Sequence, residues 1–296
     1  FRRVLFRSDQ ADLLRAFDLP IALLQDAEAL ERAADRLVRE KAAERVTYME
    51  LRWGPHLHTA KGLTQRQVIA AVATGASNAA AACGVDVRLI VTALRSHGVE
   101  ENRALAAAAV AAQNLGVVAF DLAGREAEVP DPLIFASAFD TARDGGLAIT
   151  LHAGEWGGAA QVRRALAVDP ARIAHGAVAA EDPALCEELI ARNVVLDLCP
   201  TSNVQAAIVP GYGDFPVLAL HRRGVRITLN TDDRVVSDLT LSEEYGRVRR
   251  RLGAPVTELL EIARSGYLAS FAPPPLRDAL LQRFDGWVEA HLPAQK

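Results

Sequence analysis

Seven short apolar segments, each followed by a stretch of helical periodicity, constrain this chain to a parallel sheet with helices packed on it. The segments are VTYMELR (46–52), VDVRLIVTAL (85–94), VVAFDLAG (117–124), LAITLHAG (147–154), RIAHG (172–176), VVLDLCP (194–200) and RITLNTDD (226–233). Helices are predicted between them at 64–84, 101–116, 131–146, 157–168, 182–193 and 215–224, and further helices over 9–45 and 242–292. Antiparallel neighbours can be joined by a two-residue turn, whereas parallel strands need a crossover of a dozen or more residues. Strands that read as apolar throughout and alternate with such crossovers are covered on both faces. A (β/α)8 barrel and an open doubly wound sheet both meet that description. No Gly-rich dinucleotide loop follows any segment, and polar candidates follow at least four of them, as a barrel mouth requires. The prediction is an α/β chain with a (β/α)8 TIM barrel, one strand short of closure.

A length of 296 residues suits one large barrel, and half of the chain is apolar, enough for a sizeable core. The formal charge of −4 leaves no basic footprint for nucleic acid. Every apolar run is interrupted well before the roughly 18 residues of a membrane span. The expected partner is therefore a small molecule, with neither nucleic acid nor membrane involved. Cys83, Cys186 and Cys199 are odd in number and form no CxxC pair, which fits a reducing, cytoplasmic setting. FRRVLFRS (1–8) is basic, lacks the apolar core of a signal peptide and does not join the helical pattern after it. Residues 1–8 are read as a non-native scar and 9–296 as a single barrel domain that begins partway into its fold.

Residues at the C-terminal ends of barrel strands converge on one face, where chemistry is done. His152 and Glu155, His175, and Asp232 with Asp233 all occupy such ends. A neutral imidazole there is a good zinc ligand, and an acid one short turn away sits beside water or substrate. Taken alone, His152 could cap a loop and His175 could be a core histidine bonded to backbone. Two adjacent carboxylates each disfavour the other's ionisation, which a cation or a shared proton relieves; a surface turn would also tolerate them. Gly124 could let a ligand approach the backbone closely. Asn203 in CPTSN closes another segment, and Cys199, with no second Cys or His at ligand spacing, reads as packing. His56 and His58 form a His-x-His pair, but Gly54-Pro55 places them in a loop rather than on a strand face, so they are not expected to bind zinc.

The ordered set YMELRWGPHLH (48–58), FDLAG (120–124), HAGE (152–155), RIAHG (172–176), CPTSN (199–203) and LNTDD (229–233) resembles the adenosine deaminase family of zinc-dependent purine deaminases. The resemblance covers roughly residues 9–290. It implies a (β/α)8 barrel and hydrolytic deamination of adenosine or deoxyadenosine to an inosine-type product and ammonia. On it, His152 and Asp232 are Zn2+ ligands, Glu155 protonates purine N1, and His175 orients and helps deprotonate the attacking water. Asp233 bonds purine N7, and Gly124 offers its N–H to N3.

The sequence departs from the family pattern in four places. No strand carrying His-x-His and a following Asp precedes Asp9, so the first strand is expected to be missing, together with two zinc ligands and a sugar contact. Ala174 stands where RIGHG would have Gly, Arg234 where many members have Pro, and Trp156 directly follows Glu155. Three other outcomes stay open: another 6-aminopurine substrate (adenine or aminodeoxyfutalosine), a different amidohydrolase-type reaction, and a barrel fragment without turnover. Sheet edges at 46–52 and 226–233 would be expected to promote association.

Overall fold

The computed structural model describes residues 15–292; the 1–8 segment read as a scar lies outside the described residues. One curled parallel sheet runs in chain order through β1 (Tyr48–Trp53), β2 (Asp86–Leu94), β3 (Val117–Ala123), β4 (Ala148–Ala153), β5 (Arg172–His175), β6 (Val195–Leu198) and β7 (Ile227–Leu229). Among the described residues β1 and β7 are its two edges and do not pair with each other. The helices are α1 (Asp18–Leu23), α2 (Ala27–Ala43), α3 (Gln65–Cys83), α4 (Val99–Ala111), α5 (Ala136–Asp144), α6 (Ala159–Ala165), α7 (Pro183–Ala191), α8 (Pro200–Gln205), α9 (Val217–Arg223), α10 (Arg234–Ser237), α11 (Leu241–Leu252), α12 (Val256–Leu268) and α13 (Pro274–His291). This is the architecture of a TIM barrel, with seven strands among the described residues. No helix among those residues is long and apolar enough to cross a membrane.

Local chemistry sets the helix limits. Thr64 and Gln67 form a reciprocal capping box at the start of α3, and Gly84, at φ 68°, ends it in the left-handed region that favours glycine. Thr240 and Glu243 do the same for α11, which Gly253 ends. The helices cover the outer face of the sheet, where Leu89, Leu122, Leu151, Ile173 and Leu196 are fully buried in one core with Ile69, Leu105, Phe139 and Leu185. Helices α2 and α3 cross at Gly75, where a Cβ would lie 2.1 Å from the Glu31 carbonyl oxygen.

The inner face departs from the sequence reading. Strands expected to be apolar throughout carry charged and polar residues at alternate positions, and these pair inside the barrel. Arg52 reaches Asp121 at 3.8 Å, Asp197 at 3.7 Å and the Thr150 hydroxyl at 3.4 Å. Arg172 pairs with Glu50 and, at 3.3 Å, with Asp197, and lies 3.9 Å above the Phe271 ring. Thr228 donates to Asp197 at 2.7 Å. Charges can be buried here because each has an opposite partner and hydrogen bonds. Two element limits also differ: β7 stops at Leu229, leaving 230–233 as a turn, and Asn203 lies on α8 rather than at a strand end.

Candidate active site

Four strand ends and two short helices bring the expected residues into one cleft, lined by His152, Glu155, His175, Asp232, Asp233 and Gly124. Phe17, Trp156 and Val236 add apolar wall, and Ser202 and Ser237 add hydroxyls.

His152 leaves β4 with its Nδ1 3.2 Å from the carboxylate of Asp121 on β3. Asp121 is fully buried and accepts from the Thr92 hydroxyl at 2.9 Å. Burial opposes its ionisation, but His152, Arg52 and these hydrogen bonds together hold its carboxyl well below the usual carboxylate range. With Nδ1 engaged, Nε2 is the imidazole nitrogen left for the cleft. The His152 and His175 rings lie 5.4 Å apart between centroids.

His175 closes β5 at φ 67°, and Gly176 follows at φ 71°. The consecutive left-handed residues turn the chain sharply and leave the imidazole buried. Its Nδ1 lies 3.1 Å from the Asn203 amide oxygen, and its Nε2 lies 3.7 Å from Glu155. An Nδ1–H donating to Asn203 is the assignment that satisfies both groups. Burial would lower the His175 pKa, but the carboxylates of Glu155 and Asp232 outweigh it and raise it.

The three cleft carboxylates divide. Asp232, at φ 54°, accepts from the Ser202 hydroxyl at 2.8 Å. Burial works against its ionisation, yet His175, Ser202 and His152 hold it below the ordinary value. Asp233 exposes surface to the cleft but is enclosed by it. That enclosure, followed by the charges of Asp232 and Glu155, pushes its carboxyl well above the usual range. Glu155 is likewise raised, by burial and then by Asp232, against the opposing pull of the histidines. The cleft thus holds an ionised carboxylate beside two that favour the protonated form.

A cation fits this donor set. An imidazole whose Nδ1 is tied to a carboxylate is the arrangement that orients histidine toward a metal, and Asp232 is an ionised oxygen donor lining the same cleft. The ligand atoms of His175, Cys199 and Asp232 lie within 4.8 Å of one another. Cys199, read from sequence as packing, is therefore at the site. Burial and the neighbouring acids Asp232 and Asp197 push its thiol well above the ordinary value, so it stands there as a neutral thiol.

His56 and His58 do not line the cleft. They sit on a 3-10 turn (Pro55–His58), where His58 Nδ1 lies 2.8 Å from the Leu24 carbonyl and His56 stacks on His97 at 4.2 Å. Arg234 does not line it either, pairing instead with Glu40 and, at 3.4 Å, with Glu44 beside α2. Trp156 does line it. Sequence reasoning missed Asp121 inside β3 and two further buried carboxylates. Glu126 accepts from the backbone N–H of Gly154, Trp156 and Gly157. Glu244 accepts from Thr201 N–H at 2.8 Å and from the Thr201 hydroxyl. Neither stands at a strand end. Glu126 lies two residues past Gly124 and Glu244 lies on α11, so a search of strand ends passes over both.

The chain is similar in sequence and in fold to known proteins. The family profile described as adenosine deaminase matches residues 3–287. An adenosine deaminase of Clostridium perfringens is 35% identical over 271 residues, covering 91% of this chain and 81% of that protein. The crystal structure of an adenine deaminase from Arthrobacter aurescens superposes with a TM-score of 0.90 at 25% identity, covering 97% of this chain and 88% of that one. An apo structure of the N6-methyl-AMP deaminase of Arabidopsis thaliana gives a TM-score of 0.87 at 26% identity, covering 96% and 85%.

Proposed function

The chain belongs to the adenosine deaminase family, and from that we propose that it deaminates adenosine or deoxyadenosine to an inosine-type product and ammonia. The observation that carries this reading is the single cleft lined by His152, Glu155, His175, Asp232, Asp233 and Gly124. His152 and Asp232 would hold the metal, zinc in this reading. When bound, it supplies the Lewis acidity that brings the pKa of a water toward 7.

The chain's own residues do the rest. Glu155, raised toward its protonated form, gives its proton to purine N1, which makes C6 electron-poor. His175, steadied at Nδ1 by Asn203, directs the attacking water from its other nitrogen and takes up its proton. Purine N7 accepts hydrogen bonds only. A protonated Asp233 can donate to it, which its raised pKa supports. Gly124, in a left-handed conformation at φ 108°, offers its N–H to N3.

A nucleoside or free base suits the cleft better than a nucleotide. Its described lining contains no lysine or arginine, so a 5′-phosphate would find no cationic side chain there to pair with. Adenine is the second reading, because the Arthrobacter relative is named for it. The test is metal content together with ammonia release and loss of the purine ultraviolet band, with adenosine, deoxyadenosine, adenine, AMP and N6-methyl-AMP compared at equal concentration. Turnover of adenosine above the others supports the proposal. A metal-loaded chain that turns over only the nucleotides, or none of the five, overturns it.

A further inference from the structure

We infer that Glu126 is a positioning residue, a buried carboxylate whose role is to fix the backbone that aims Glu155 into the cleft. Glu126 is 1% exposed and does not line the cleft. Its Oε1 accepts from Gly154 N–H at 2.7 Å, and its Oε2 accepts from Trp156 N–H at 2.9 Å and Gly157 N–H at 3.1 Å. The three donors flank Glu155 on both sides, so the turn 154–157 is wrapped around one side chain.

Gly154 packs against Val162 and Val178, but the turn belongs to no helix or strand. It lies between the last residue of β4 and the first of α6, and Gly154 and Gly158 both have positive φ. A segment with two such glycines has many alternative conformations to lose. Three N–H groups converging on a carboxylate form charge-assisted hydrogen bonds, which are stronger than neutral ones. The base of the clamp is held as well. Arg95, 3% exposed, donates to the Val129 carbonyl at 2.8 Å and to the His152 carbonyl at 3.2 Å. It thereby ties the segment that carries Glu126 to the end of β4. With the turn fixed, Glu155 lies 3.7 Å from His175, and Trp156 forms cleft wall. The consequence for turnover rests on the deaminase reading; the clamp itself does not.

The test compares E126Q and E126D in the full, metal-loaded chain. Gln keeps the size of Glu126 but turns an N–H2 toward some of the three N–H donors. Asp keeps both acceptor oxygens at shorter reach. Hydrogen exchange is followed in the peptide carrying amides 154–157, and kcat and KM for adenosine are measured separately, with melting and metal content alongside. E126Q is expected to melt cooperatively and keep its metal while these amides exchange roughly tenfold faster or more. Its kcat should fall by roughly 10- to 100-fold, the usual range for loss of a supporting partner, with KM little changed. E126D should fall between parent and E126Q on both scales, and it carries the comparison if E126Q does not fold. Unchanged exchange in the folded variants, or faster exchange with unchanged kcat, overturns the inference. A parent chain that deaminates no 6-aminopurine sinks the deaminase reading alone, because the exchange measurement still decides whether Glu126 holds the turn.

Discussion

Asp121 lies fully buried beneath His152, its carboxylate 3.2 Å from the imidazole Nδ1. The pairing selects the tautomer of His152 and leaves Nε2 for a cleft ligand. D121N keeps the shape but removes the charge that favours an Nδ1–H. Metal affinity of D121N is expected to weaken by roughly 10- to 100-fold, measured by competition with a chromophoric chelator. Affinity equal to the parent's would show that Asp121 serves only the ion pairs inside the barrel.

Asn203 is 1% exposed and is the hydrogen-bond partner of His175 Nδ1. N203A leaves that buried N–H without an acceptor, at a cost of about 1–3 kcal/mol in stability. Deamination should lose about one order of magnitude in kcat, within the range general-base catalysis contributes, with a smaller change in KM. Chemical denaturation and steady-state kinetics check the two effects separately.

Asp233 has a raised pKa in the fold, and the sign of its effect on stability follows. The fold favours its protonated form, so its contribution is fully present below the ordinary Asp value of 3.8 and is lost as pH rises through the raised folded value. D233N carries no charge at any pH. The melting temperature of metal-free D233N relative to the parent should therefore climb as pH is raised from acid, and level off once Asp233 is ionised in the parent. A difference that stays flat over that window contradicts the assignment.

At Gly75 the backbones of α2 and α3 approach so closely that a Cβ would lie 2.1 Å from the Glu31 carbonyl oxygen and 2.8 Å from its carbon. The obstacle is backbone, which cannot swing aside as a side chain would. G75A should destabilise by about 1–3 kcal/mol despite the better helix propensity of alanine, read from denaturant unfolding. No loss of stability would mean that the two helices can separate freely.

Periodicity alone located all seven strands, because alternation of apolar runs with long crossovers admits few other architectures. The cleft residues were legible for the same reason: His152, Glu155, His175 and Asp232 follow strands whose ends must converge. Gly124 and Asp233 became candidates in the same way, and all six line the cleft. The charges inside the barrel were less legible. Glu50, Arg52, Asp121, Arg172 and Asp197 stand among apolar neighbours, and only the closing curvature of the sheet pairs them.

By itself the sequence determined which elements form, their order, and which polar side chains reach the mouth, since these follow from local periodicity and strand direction. The tertiary structure alone decided the partnerships. It placed Asp121 behind His152, Asn203 behind His175, Glu126 around the turn that carries Glu155, and Arg234 on Glu40 rather than in the cleft. Each of these joins residues from different elements, 28 to 194 positions apart along the chain. Hydrogen bonding and charge pairing act over a few ångströms of space, and distance along the chain does not specify which groups will come that close.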